Sequence, residues 1–198
     1  MLRFILLAST VLALGAISGA RGAPGQFAVK GAGTTPCSQY VTALDENAEA
    51  FSVYAGWLAG YITGLNQQRS DTFDLAGWRS VPSILFAIRN YCQHESVKDI
   101  PFHRAAGQVV ALIEEDGLAH HSPRLELRRP DGETVSVYAA TLKRVKSRLS
   151  ELGYYDGPAD QSYTQAVAEA LRSYQQDQDL PDSGVPTQQT LLSLFEMK

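Results

Sequence analysis

The residues best suited to chemistry lie late in the chain. Tyr154, Tyr155, Asp156, Asp160 and Tyr163 fall in one short stretch, and Gln175 follows on the next predicted helix. Phenol faces, carboxylates and a carboxamide suit the binding of hydroxyls and amides. They do not make a nucleophile with its base. A structural reading stands beside this one: Tyr154 closes a core, and Asp156 and Asp160 hold turns through side-chain-to-backbone bonds. Elsewhere the chemistry is thin. His94, His103, His120 and His121 lack the carboxylate or cysteine spacing of a metal site. No nucleophile elbow, phosphate loop or zinc-peptidase motif occurs, so the chain reads as non-enzymatic with no catalytic residue, metal or cofactor. Glu114, Glu115 and Asp116 read as a solvated helix end.

The elements around the tyrosines follow from apolar spacing. Leu142, Val145, Leu149 and Leu152 share one helical face, with Lys143, Arg144, Lys146 and Arg148 placed mostly outside it. Gly153 ends that helix. Ser162-x-x-Gln165 has the form of a capping box opening a second helix, which buries Val167, Ala170, Leu171 and Tyr174. Thr187 caps a third, with Leu191, Leu194 and Phe195 inward.

The motifs LxxVxxxLxxLGYYDGPAD, ALRSYQ, LPDSGVP and TLLSL, in this order and spacing, resemble the peptidoglycan-binding-like domain, a three-helix module of bacterial envelope proteins. The resemblance implies a three-helix fold at 141–198 and peptidoglycan as partner. Tyr154, Tyr155, Asp156, Asp160, Tyr163 and Gln175 are then the binding candidates. Two family glycines are replaced here by Gln161 and Thr164, and a family threonine by Val167. That change alters the loop entering the second helix.

The chain opens with Arg3 and the apolar run FILLASTVLALGAI, followed by Ser18-Gly19-Ala20. This is the pattern of a secretory signal peptide over 1–20, cleaved after Ala20 or Gly22. The run is shorter than the ~20 residues that span a bilayer. Residues 21–35, rich in Gly, Ala and Pro, read as a flexible leader. The net charge of −4 argues against nucleic acid as a partner. An exported chain with two cysteines, Cys37 and Cys92, most simply carries one disulfide. Its chain-entropy contribution would be ~4 kcal/mol.

Helices are expected with Thr35 as N-cap and Pro36 at the first position, across ENAEAFSVYAGWLAGYITGLN, from Val81 to Cys92 with Pro82 in its first turn, and onward from Asp99 as a cap. In the long helix Gly56, Gly60 and Gly64 form a smooth ridge, which predicts close approach of a neighbouring helix. TPCSQYVTAL, YAGWLAGYITGL and ILFAIRNYCQHESVKDIPFHRAA are similar to the HdeA-like family of single-disulfide periplasmic proteins. Tai-type immunity proteins share the GYI-x-G pattern. These resemblances imply a protein client or partner for residues 36–117. RLELRRPDGETVSVYA then alternates around a Pro-Asp-Gly turn, predicting a β-hairpin or linker at 118–140.

The expected architecture is mainly α: two small helical domains joined by this segment. The expected protein is exported or periplasmic and associated with the cell wall, where its C-terminal module localises the first domain. The other expectation is an acid-stress chaperone or immunity-type binder whose C-terminal module is only structural.

Overall fold

A computed structural model describes residues 27–196. The expected signal peptide and the start of the leader lie outside them. The fold is mainly helical. Four helices come first: α1 (Cys37–Glu46), α2 (Ala48–Gln68), α3 (Val81–Cys92) and α4 (Phe102–Ile113). The antiparallel hairpin β1 (Arg124–Arg128) and β2 (Thr134–Tyr138) follows. Then come α5 (Ala139–Glu151), α6 (Gln165–Asp177) and α7 (Gln188–Glu196).

The first four helices surround one core. Tyr54, Leu58 and Ile62 on α2 meet Ile84, Leu85 and Ile88 on α3 and Ala105, Ala106 and Val109 on α4. Tyr40, Tyr54 and Phe102 pack ring against ring, with centroids 4.6–4.9 Å apart. The buried Tyr40 hydroxyl donates to the Leu85 carbonyl at 2.8 Å. The Cys37–Cys92 disulfide ties the start of α1 to the end of α3.

Three expectations for this region change. The leader is not flexible throughout: Gly31–Thr34 forms a 3₁₀ turn, and Gly33 is buried against the Trp57 ring. Thr35 and Asp99 do not cap helices. Pro36 and Pro101 are the caps, because extended backbone there forms a bridge in which Phe102 N–H donates to the Thr35 carbonyl at 2.7 Å. Among the described residues, the glycine ridge of α2 meets no neighbouring helix. A Cβ at Gly56, Gly60 or Gly64 would find nothing within 4 Å.

The last three helices bury Leu142, Val145, Leu149, Val167, Ala170, Leu171, Tyr174, Leu191 and Leu194. Trp78, from the turn before α3, belongs to this second core and lies 5.3 Å from the Phe195 ring. Leu152, expected inward, is 40% exposed, because the helix ends before it. The hairpin packs here too: Leu127 and Val137 cover Val185, with Tyr163 beside them.

The two bodies meet along residues 74–80. Asp74 and Leu118 form a backbone bridge. Asp116 accepts from Arg79 at 2.6 Å and from Arg144 at 2.6 Å, while Arg79 also reaches Glu196 at 3.0 Å. Arg79 lies over the Trp78 ring at 4.1 Å. Asp116 is thus a two-arginine anchor rather than a solvated helix end. Partial burial pushes its carboxyl pKa up, but the arginine hydrogen bonds outweigh this and hold it below the usual range. Gly77 makes the approach feasible. It has φ +59°, and a Cβ there would overlap the Asp116 carbonyl.

Candidate functional site

The loop between α5 and α6 carries most of the candidate residues, and its shape is set from below by Lys146. The i, i+3, i+4, i+7 pattern that buries Leu142, Val145 and Leu149 also includes position 146. Lys146 is 1% exposed, contrary to its expected place outside the face. A buried ammonium needs partners. Lys146 Nζ donates to Asp160 Oδ1 at 2.6 Å and to the Ser162 carbonyl at 3.1 Å. It also lies 5.5 Å from the Tyr155 ring centroid. Asp160 Oδ1 accepts from Ser162 N–H at 2.8 Å and Ser162 Oγ at 2.6 Å. The Lys146 bond, followed by those from Ser162, holds the Asp160 carboxyl well below the usual carboxylate range.

Ser162 is therefore drawn into the loop and does not cap α6. Thr164 takes that place, its Oγ1 facing Val167 N–H at 3.5 Å. One of the residues that replaces a family glycine thus becomes the helix cap. Gln161 is exposed.

The tyrosines divide by role. Tyr154 is half-buried, edge-on to Tyr174, and its hydroxyl donates to Asp177 at 2.8 Å. That hydrogen bond, with some burial, raises its pKa. Tyr155 is half-buried and folds back over Gly157, where a Cβ would collide with the phenol. Its hydroxyl reaches the Pro158 carbonyl at 3.5 Å, the weak end of hydrogen bonding. Asp156 beside it is exposed. Tyr163 points elsewhere. Its hydroxyl donates to the Gly184 carbonyl at 2.7 Å, and its ring helps cover Val185. Desolvation raises its pKa.

Gln175 corrects the expectation that it turns toward this loop. It is fully buried and faces the segment 183–190. Its carboxamide donates to the Val185 carbonyl at 2.9 Å and to Thr190 Oγ1 at 2.9 Å, and accepts from Gly184 N–H at 2.8 Å. A ligand has no path to it in this arrangement. The six candidates thus separate into an outer group, Tyr154, Tyr155 and Asp156, and a bracing group, Asp160, Tyr163 and Gln175. Lys146 is the residue that sequence reading missed, although the helical period already placed it on the buried face.

Residues 139–194 match a family model described as "putative peptidoglycan binding domain". The braced loop and both of its flanking helices fall inside that match. No curated protein and no solved structure matches the chain. The match supports a peptidoglycan-binding-like domain over α5, α6 and most of α7. Nothing in these comparisons supports the HdeA-like expectation for the first four helices.

No helix among the described residues is long and apolar enough to cross a membrane. His103 Nδ1 lies 3.0 Å from the Gly33 carbonyl, and His121 packs edge-on to Phe73. No group of three or more His, Cys, Asp or Glu side chains able to hold a metal occurs among the described residues.

Proposed function

We propose that the protein is exported, has no catalytic activity, and is held at the cell wall by its peptidoglycan-binding-like domain. The family match over residues 139–194 carries this reading. In this reading the outer residues make the contact. The C–H face of a sugar ring stacks on Tyr155, and the exposed Asp156 accepts from glycan hydroxyls or stem-peptide amides. Asp160 and Lys146 act as positioning residues that keep the loop in shape. The disulfide-bonded body of α1 to α4 is what the domain localises, and its kinship with the HdeA-like family rests on the helix order and the cysteine positions.

The test is co-sedimentation of the mature protein with purified sacculi. Wild type is expected to pellet. Tyr155→Ala with Asp156→Ala is expected to lower the pelleted fraction at least tenfold while the far-ultraviolet circular dichroism stays unchanged. A wild-type protein that remains in the supernatant overturns the reading. Unchanged pelleting of the double variant removes these two residues from it.

A further inference from the structure

A second concave site lies on the first body, away from the braced loop. It is a cleft of about 950 Å³ between α2, α4 and the segment preceding the first 3₁₀ turn. Its aromatic wall is built by spacing. Trp57 and Tyr61, one turn apart on α2, stack with ring centroids 5.4 Å apart and planes 17° from parallel. The wall is fixed from behind: Trp57 Nε1 donates to the Lys30 carbonyl at 2.8 Å, and Gly33 lets the backbone press on the indole. The opposite side stays low because Gly107 faces the Tyr61 hydroxyl, which a Cβ there would approach to 3.4 Å.

The charge of this cleft is opposite to that of the chain. The chain carries −4, yet among the described residues the lining holds the cations Lys30 and Arg104 and no Asp or Glu. Arg104 and Gln108 are exposed and sit one turn apart on α4. Aromatic faces, an amide and cations without a carboxylate suit one ligand chemistry: a ring-bearing polyol that carries a negative charge.

We propose that this cleft binds a carboxylate-bearing glycan of the muramic-acid type. A sugar ring lies against the Trp57–Tyr61 wall, and its carboxylate meets Arg104 and Lys30. The choice of this sugar rests on the wall location proposed above. The site would give the protein a second grip on the same polymer, and two weak sites on one chain act together through effective concentration.

The Trp57 indole N–H is a reporter inside the cleft, and the chain has only two tryptophans. In a ¹⁵N spectrum of the mature protein, Trp78→Phe assigns the two indole signals. Titration with the disaccharide N-acetylglucosaminyl-N-acetylmuramic acid is expected to shift the Trp57 signal saturably. Chitobiose, which lacks the carboxylate, should bind tenfold or more weakly, as expected for a lost charge-assisted contact. Arg104→Glu and Lys30→Glu should each weaken the acidic sugar at least tenfold. Arg128→Glu, an exposed reversal on the hairpin, should not.

A silent Trp57 signal overturns the inference, as does equal binding of the two sugars with no effect of Arg104→Glu. If Trp57 is silent while wild type still pellets with sacculi, this inference fails and the wall reading stands. If Trp57 responds while wild type fails to pellet, the wall reading fails and the cleft remains.

Discussion

Gln175 separates a binding role from a bracing role within a single residue. Replacing it by Ala removes the acceptor for Gly184 N–H and the donor to the Val185 carbonyl, and both residues are buried. The Val185 carbonyl keeps the Thr187 N–H at 2.9 Å, whereas the Gly184 N–H is left orphaned, which costs ~1–3 kcal/mol. The vacated side-chain volume adds a cavity penalty. A unit the size of residues 139–194 holds only ~3–8 kcal/mol in total. Gln175→Ala should therefore melt the C-terminal helices well before the disulfide-bonded body. In urea unfolding followed by far-ultraviolet circular dichroism, the variant should show two transitions and the wild type, its bodies bracketed together, one. Gln176→Ala, at an exposed neighbouring position, should stay within ~0.5 kcal/mol of wild type. A Gln175→Ala protein within ~1 kcal/mol of wild type would refute the reasoning. If that stable variant also failed to bind sacculi, Gln175 would be a ligand contact after all.

Two further outcomes follow from the packing. Gly56→Ala, Gly60→Ala and Gly64→Ala should each raise stability by ~0.5–1 kcal/mol, since the added methyl meets nothing among the described residues and helix propensity improves. A loss of stability in thermal melts would mean that this face is occupied. Asp116 has a folded pKa below its ordinary value of 3.8, so its contribution is complete above that value and is lost as pH falls through the folded one. Asp116→Asn should weaken the urea midpoint at pH 7 and flatten its decline below about pH 4. An unchanged acid profile would sink the two-arginine anchor as a source of stability.

The local patterns were legible where one element decides its own shape. The span Val81–Cys92, with Pro82 in the first turn, is readable from residue types alone. So is the hairpin, whose register sets Leu127 opposite Val135 and Leu125 opposite Val137. Helix starts near Pro36, Pro101 and Ser162 were misplaced because long-range bonds claim those residues: the Thr35–Phe102 bond in the first body and Lys146 beneath the loop. Lys146 itself was hidden by its type. A lysine is assigned to solvent by habit, although its position in the period is that of a core residue. The roles of Tyr163 and Gln175 depend on the 183–190 segment folding back across α6, which no local pattern encodes. The α2 glycines misled in the other direction, since a permissive surface is not evidence of a neighbour.

Trp78 has a consequence for how the protein is divided. By sequence it belongs with the first body, and by packing with the second, where it covers the core beside Phe195. A fragment beginning at residue 141 would lack this lid and expose the seat it fills. The same arrangement, with Arg79 and Arg144 gripping Asp116, joins the bodies as a bracket joins two beams. A protein seized at its C-terminal end would therefore present its first body at a set angle and stand-off. Which face of α2 and α4 looks outward would then be decided by the bracket rather than by diffusion on a tether.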